Sequence, residues 1–466
     1  MSQETLSKID ESHINEISSS RNEPDWLKDY RKDSLSIYST LPIEMSPLYN
    51  KYTDAKRLNP EKISIASSTK DTIPDFLQKR LGELENEICI IQIGTNIHKI
   101  NLPEDLKSKG LVISSISDAI QNNSELVKKA LEASNSNDDK FTALNNAAFN
   151  SGVFIHIPKN FVLEKPIHFL SCLSDDGLST ISRNVIFADE SSKASIVQEL
   201  YSPKTETQQA YLELLNTNVA ANAELSITTL QMMDQNSVNF STRRTDLAQD
   251  ATVNWYSGLF GSVLSRYKID YYLNGTGASS NESEVVFGNN DQHFDIQTNM
   301  NHQSPATEAR VVEKSILKNR SKSLFKGMIR IKENAAKSNS FLSGRSILLD
   351  KNAKSDAIPG LEILTNDVKA THSASVAQID EEQIFYLKSR CLSHEEAERT
   401  IVEGFLEPLS RKMSFQVRAW IAYLIEYKWE NRELTINTDE ELAKFVEIEE
   451  TRYNEDAEIE QHYKYR

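Results

Sequence analysis

Short runs rich in β-branched residues, separated by small turn motifs, dominate the chain between residues 180 and 377. The near-constant spacing of alanines at these motifs indicates stacked supersecondary units, and the scarcity of helical periodicity indicates that the units are strands. The pattern therefore predicts a β-solenoid. The repeating alanines, 27 to 29 residues apart, are Ala194, Ala223, Ala251, Ala278, Ala306 and Ala335.

The alanine spacing shortens after Ala335, with steps of 18 and 17 residues to Ala353 and Ala370. We interpret these shorter steps as single coils, so that each longer step holds a coil plus an excursion. Because a solenoid buries each rung only against its neighbours, both ends require a cap. We expect the flanking regions to supply the caps.

The flanks of the repeat region differ from it in pattern. Residues 21–150 mix a helix starting at Pro24 with short strands and further helices, and residues 379–430 have helical periodicity. We expect residues 1–20 to be disordered, 21–150 to form a helical α/β domain, 151–378 the β-helix core, 379–430 a C-terminal helical domain and 431–466 an acidic, partly helical extension. The predicted fold is mainly β, with a right-handed β-helix or solenoid core between an N-terminal α/β region and C-terminal helices.

A strand and a helix follow one another closely between Asn366 and Arg390. Alternation of apolar and polar residues from Val368 to Val376 predicts a half-buried strand with His372 on its apolar face. Asp380 is a predicted N-cap, with Gln383 three residues later, for a short helix. On this pattern alone, a core histidine is the simpler interpretation of His372.

The charge and composition of the chain make several classes of function less favoured. The net charge of −16 disfavours binding to nucleic acid or to anionic membranes. Residues 1–20 are polar and no run of about 18 apolar residues occurs, so we expect a cytoplasmic protein. Three scattered cysteines without a CxxC pair favour neither a disulfide framework nor a resident four-cysteine cluster; they are Cys89, Cys172 and Cys391.

Other chemical motifs are weak. GTGASSN lacks the strand and helix of a dinucleotide site, and no GxxxxGK[ST] motif occurs, so an ATPase role is not expected. Asp291, His293, Asp295 and His302 form a polar cluster that we interpret as a network on the coil surface, because no third metal ligand can be placed beside His293 and Asp295. We expect His156 and His168 to be packed or surface residues.

The run DVKATHSASVAQIDEEQIFYLKSR resembles the signature of the SufB/SufD family, the scaffold subunits of the SUF iron-sulfur cluster assembly machinery. The EP-x-W helix at Pro24, the YTD element within 51–60 and the GVFIHIPKN run at Gly152 are similar to the family as well. The resemblance covers about residues 21–412 and implies a non-enzymatic scaffold that holds a cluster transiently; whether it binds reduced flavin is open.

The resemblance favours the SufD-like branch. The SufB branch supplies a cysteine and a glutamate, and the positions that align with them here are Gly344 and Ser373. His372 matches the SufD histidine at the interface with SufB, a neutral imidazole able to ligate iron or to move a proton. Cys391 replaces the usual glycine of the turn after the first helix, and we interpret it as a structural substitution.

The resemblance also implies two partners, a SufB-like subunit and a SufC-like ATPase. The segment SHEEAERTIVEGFLEPL is similar to the part of the family that docks SufC, and the expected docking residues are Gln383, Tyr386, Arg390, Glu395, Ile401 and Phe405. Two alternatives stay open: an undivided, SufB-like scaffold that forms homodimers, and a β-helix enzyme acting on polysaccharides, which would need two carboxylates across a scissile bond.

Overall fold

The computed structural model describes residues 4–44, 58–65, 67–70, 72–411 and 413–463. Residues 51–57, which hold the predicted YTD element, lie outside the described residues. The strands are β1 (Glu4–Thr5), β2 (Ser64–Ile65), β3 (Cys89–Ile93), β4 (Asn96–Asn101), β5 (Val112–Ser115), β6 (Val153–Ile157), β7 (Ile167–Cys172), β8 (Leu178–Ala188), β9 (Lys193–Tyr201), β10 (Gln209–Val219), β11 (Glu224–Gln231), β12 (Ser237–Leu247), β13 (Thr252–Leu259), β14 (Leu264–Leu273), β15 (Ser279–Gly288), β16 (His293–His302), β17 (Glu308–Leu317), β18 (Lys322–Ile331), β19 (Asn339–Leu348), β20 (Lys354–Ile363) and β21 (Lys369–Gln378). The helices are α1 (Glu11–Ser20), α2 (Asp25–Thr40), α3 (Gln78–Glu83), α4 (Glu104–Ser108), α5 (Ile116–Asn122), α6 (Ser124–Ala133), α7 (Lys140–Ala148), α8 (Glu381–Ser389), α9 (His394–Ser410), α10 (Phe415–Trp429) and α11 (Glu440–Tyr463).

Strands β7 to β21 alternate between two sheets and form a parallel β-solenoid of about eight turns, as predicted. The even-numbered strands β8 to β20 follow one another in one sheet, and the odd-numbered strands β21 to β7 do so in the other, which β3 and β4 extend. Inward side chains of both sheets make a continuous apolar core that includes Ile196, Trp255 and Val311. Burial of this core is the main stabilising contribution to the repeat region.

The coil length differs from our interpretation of the alanine spacing. The residues that pair in one column of the odd-numbered sheet are 27 to 31 residues apart, so each long step is one whole coil with a strand in each sheet. Ala353 precedes β20 and Ala370 lies in β21, which belong to different sheets. The shorter steps are therefore half coils, not single coils. The column is Lys193, Glu224, Thr252, Ser279, Glu308, Asn339 and Lys369.

The N-terminal helices lie against the outer face of the even-numbered sheet, where Leu27 and Leu144 join a core with Leu212 and Phe240. We expected residues 1–20 to be disordered, but α1 occupies 11–20 and buries Ile14 and Ile17. Its N-cap, Asp10, accepts a hydrogen bond from the backbone N–H of His13 at 3.0 Å. The further helices of this region include α5 and α6, which are separated by Asn123.

The C-terminal helices do not cap the end of the solenoid. Their apolar stripes instead cover the outer face of the odd-numbered sheet, where Val402 and Trp429 share a core with Phe287 and Ile316. The reason is that outward side chains of that sheet are themselves apolar and need cover. Within the described ranges, no helix is both long and apolar enough to cross a membrane.

Candidate functional site

The last rung of the solenoid is open. β20 ends the path of the even-numbered sheet and β21 is the edge of the odd-numbered sheet, and most of their residues are exposed or half-buried. Four large apolar side chains are exposed there, by 39 to 52 %: Leu361, Ile363, Leu364 and Val376. An edge strand with unpaired backbone groups and exposed apolar side chains is suited to association with another chain.

His372 lies in this open rung, on β21. It pairs in register with Leu342, which pairs with Val311, and both of these are completely buried in the core. The prediction that His372 occupies an apolar, inward position of its strand is thus confirmed. The interpretation of His372 as a core histidine is wrong, because no further rung in the described part of the chain covers it and the residue is exposed.

Gly344 occupies the neighbouring inward column, one rung before the end, and pairs with Ala374. A Cβ atom at Gly344 would lie 2.4 Å from Cδ1 of Phe325 on β18. This distance is far shorter than a normal van der Waals contact, so any side chain at this position requires the Phe325 ring to move. The Phe325 ring, which packs against the backbone of Gly344, explains the glycine physically.

Three buried glutamates, which the sequence had not indicated, lie in the interior behind this end. Glu282 and Glu284 belong to β15, and Glu313 on β17 pairs with Glu284. The signal that could have found them is the period of two: Glu282 and Glu284 alternate in step with Val286, an inward core residue. A carboxyl group in such a position has to be neutral or paired.

Burial sets the protonation of these glutamates. It raises the pKa of Glu313 to about 8. Hydrogen bonds from Ser315 and from the backbone of Arg345 lower this pKa, but by less than burial raises it. Burial likewise raises the pKa of Glu282 to about 7, although Arg243 lowers it. The pKa of Glu284 is raised well above its ordinary value, by burial first and then by the charges of Glu282 and Glu313. The interior therefore holds carboxylic acids near neutral pH.

Three of the six expected docking residues line one shallow depression of about 400 Å³ beside α8: Gln383, Tyr386 and Ile401. Tyr386 is 56 % exposed and its neighbour Phe385 is 75 % exposed, an unusual exposure for two adjacent aromatic residues. Arg390 lies next to them and donates a hydrogen bond from Nη2 to the Tyr386 hydroxyl at 3.1 Å.

The other two expected docking residues are engaged within the chain. The Glu395 carboxylate pairs with the Arg399 guanidinium at 2.7 Å, and Arg399 also bonds Glu426 of α10. Phe405 packs against the solenoid, where Lys314 lies 4.8 Å from its ring centre and donates a hydrogen bond to its carbonyl oxygen. The candidate docking surface is thus the exposed face of α8 with Ile401.

The polar cluster of β16 is not a surface network, because three of its four residues are buried. Asp295 pairs with Lys326 at 2.7 Å, and His302 Nδ1 lies 2.7 Å from the Thr307 hydroxyl. Asp291 forms an ion pair with Arg320 on the protein surface. Across the described part of the chain, no group of three His, Cys, Asp or Glu residues could hold a metal ion.

The remaining candidate residues, two histidines and a cysteine, are explained by their local contacts or backbone conformation. His156 Nε2 lies 2.8 Å from Asp189, and His168 is buried beside Glu199, so both are packed, as predicted. Cys391 is exposed and has a φ of +70°, a conformation that favours glycine.

The chain is similar to two protein-family models and to known proteins of one family. The model for the SUF system FeS cluster assembly SufBD core domain matches residues 171–405, and the model for the SufBD protein N-terminal region matches 74–169. An iron-sulfur cluster assembly SufBD family protein of Staphylococcus aureus (strain USA300) is 29 % identical over 438 residues, covering 91 % of this chain and 93 % of the relative. A SufBD family protein of Staphylococcus haemolyticus (strain JCSC1435) is 28 % identical over the same length and coverage.

Proposed function

Because this chain belongs to the SufBD family of iron-sulfur cluster assembly proteins, we propose that it is the SufD-like scaffold subunit of such a system. In this role it pairs with a SufB-like subunit through its open rung, carries a SufC-like ATPase on the exposed face of α8 with Ile401 of α9, and works in the cytoplasm. It is a scaffold and not an enzyme, and the cluster is its transient cargo.

The observation that carries the proposal is the open end of the solenoid. A histidine, exposed apolar residues and two unpaired strand edges occur together on β20 and β21. A partner with a similar open end would continue both sheets and cover these side chains, which is strand addition. His372 would then lie inside the joint, where a neutral imidazole can ligate iron.

Gly344 supports the SufD-like branch over a SufB-like one. The cysteine of the SufB branch aligns with this position, and a Cβ there collides with Phe325. A thiol at this point would therefore require the Phe325 ring of the facing sheet to move. A chain that lacks the cysteine needs a second, different subunit to supply it.

The docking helix α8 follows β21 after two residues, Ile379 and Asp380. Asp380 caps the helix by accepting a hydrogen bond from the backbone N–H of Glu382 at 2.9 Å. A force on Tyr386 or Phe385 from a bound ATPase would thus reach the strand that carries His372 over a short, rigid connection. We propose that ATPase movement opens and closes the joint in this way.

The test is co-expression of this chain with its cognate SufB-like and SufC-like proteins, with stoichiometry measured by size-exclusion chromatography and light scattering. We expect one copy of this chain, one SufB-like copy and two ATPase copies. Val376→Glu on β21 should prevent pairing, whereas Ile100→Glu should not, because Ile100 is similarly exposed but lies on β4 at the opposite edge of the same sheet. A homodimer that ignores the SufB-like protein would refute the proposal and favour the undivided scaffold.

A further inference from the structure

The outer face of the last three odd-numbered strands is basic. Alternate residues of β17, β19 and β21 belong to the apolar core, so the residues between them point outward. Four of these outward residues are cationic and one, Glu308, is acidic, although the chain as a whole has a net charge of −16. We call this surface the basic face, and its cations are Arg310, Lys314, Arg345 and Lys369.

Two cations of the basic face, Lys314 and Arg345, lie side by side. They pair in register on adjacent parallel strands, which are about 4.8 Å apart, and like charges in such positions repel each other. Burial, and then the charge of Arg345, lower the pKa of Lys314 to about 8, although Glu407 raises it. The Glu407 carboxylate also forms an ion pair with Arg411. The pair of cations is therefore only partly balanced by negative charge.

The guanidinium of Arg345 is accessible to a partner. The residue is exposed, and its guanidinium forms no hydrogen bond or ion pair with the residues that the structure describes. Arg310 is also exposed, and it stacks on Phe341 with its Cζ atom 4.5 Å from the ring centre, which holds this cation on the surface. Ser375 of the edge strand β21 lies in register beyond Arg345 and adds a hydroxyl donor. Guanidinium donors are well suited to carboxylates.

The simpler explanation is that charges near the end of a sheet prevent edge-to-edge aggregation, for which edge strands often carry lysine. It accounts for Lys369, which begins the edge strand β21. It does not account for Lys314 and Arg345, because neither lies on the edge strand and Lys314 is buried beneath Phe405 of α9. Nor does edge protection require two like charges in register.

We propose that the basic face binds an acidic surface of the SufC-like ATPase that docks on α8, an inference that rests on the proposed function. α8 packs against α9, and α9 lies on the outer face of β17. A protein bound to the exposed face of α8 therefore lies beside the basic face. A subunit that joins at the edge of β21 instead continues the sheet in its own plane and leaves the outer face uncovered.

This contact supplies what the apolar surface of α8 lacks. Exposed aromatic side chains can bind many partners, whereas complementary charges favour one partner over others and accelerate its association. Carboxylates of the ATPase opposite Arg310 and Arg345 would also offset the repulsion between Arg345 and Lys314. The basic face is thus a specificity determinant of the docking surface.

The test is the Kd of the full chain with its cognate SufC-like protein, measured by calorimetry at low and at high sodium chloride concentration. We expect Arg345→Glu to weaken binding by at least about tenfold, because it places a carboxylate against carboxylates. The affinity of the wild-type chain should fall as salt rises, and that of the variant should fall less. Lys129→Glu is the matched control, since it makes the same change on an exposed residue of α6, on the side of the even-numbered sheet.

Thermal unfolding of the isolated full chain separates this role from a structural one. In Arg345→Glu a carboxylate lies in register with Lys314, so an attractive pair replaces a repulsive one and Tm should rise although ATPase binding weakens. A merely structural role of Arg345 would lower Tm and affinity together.

The outcomes distinguish this inference from the proposed function. If Arg345→Glu binds the ATPase as tightly as Lys129→Glu does, or weakens binding to the SufB-like protein alone, the inference is refuted and the proposed function stands. If the wild-type chain does not bind the ATPase at all, the proposed function fails and the inference fails with it.

Discussion

Replacing Glu313 with glutamine should change how the stability of the protein depends on pH. Glu313 lies in the solenoid interior, and burial raises its pKa to about 8 from an ordinary value of 4.5. The folded state therefore keeps a proton that the unfolded chain releases above about pH 4.5. Since the folded state binds more protons between these two values, the free energy of unfolding falls as pH rises from about 4.5 to about 8 and then levels off.

The magnitude follows from the difference in pKa. Each pKa unit corresponds to about 1.4 kcal/mol, so a shift of three to four units costs on the order of 4 to 5 kcal/mol at pH 8 and above. With an unfolding entropy of about 2.1 cal/mol/K per residue, a chain of 466 residues loses about 1 °C of Tm per kcal/mol. Glutamine does not titrate, and at pH 5 it closely resembles the protonated glutamate in shape and hydrogen bonding.

The assay is thermal unfolding of wild-type protein and Glu313→Gln from pH 5 to pH 9 at one scan rate. We expect similar Tm values at pH 5 and a variant that is about 4 to 5 °C more stable at pH 8.5. The control is Glu308→Gln, an exposed carboxylate on the same strand. If the Tm of wild type and the Tm of Glu313→Gln depend on pH in the same way, Glu313 is already ionised in the folded state. That result would refute the conclusion that the solenoid interior holds neutral carboxylic acids.

Three further substitutions test separate contacts. Arg80→Met should cost on the order of 3 to 5 kcal/mol because it removes the arginine that pairs with the buried Glu199 carboxylate and leaves only Tyr201 and His168 beside it. Thermal unfolding should show little change for Lys193→Met, whose pair with Glu224 is exposed. Gly344→Cys should cost about 1 to 3 kcal/mol because its side chain displaces Phe325, and an unchanged Tm would contradict the close strand contact. Cys391→Gly should stabilise by about 1 kcal/mol because it relieves a left-handed backbone conformation; Cys391→Ala, which keeps the strain, should not.

The repeat and its strand character could be predicted from the sequence, but the number of strands in each coil could not. Alanine spacing reports the step along the chain without saying how many strands one step contains. Ala251 and Ala278 each come directly before a strand, β13 and β15, whereas Ala194 lies inside β9. The alanines therefore mark a turn region loosely. Only the pairing of strands shows that one coil has two strands in two sheets.

Helices with weak apolar patterns could not be predicted from the sequence either. α1 contributes only Ile14 and Ile17 as large buried apolar residues and is otherwise polar, so its composition resembles that of a disordered segment. Its order comes from packing against α2 and α7 and not from its own propensity. No local pattern could have predicted that this segment is helical.

The environment of His372 shows the same dependence on the whole assembly of strands. An inward position in a solenoid is buried only if a further rung lies above it, so the column that runs through Glu282, Val311 and Leu342 is buried until it reaches β21. At that last step an ionisable imidazole replaces an aliphatic side chain without a burial penalty, because water still reaches it. Addition of strands from another chain would remove that water and turn the imidazole into an interior ligand. The alternation of residues predicts the direction of His372 correctly, and its exposure depends on the number of rungs that follow.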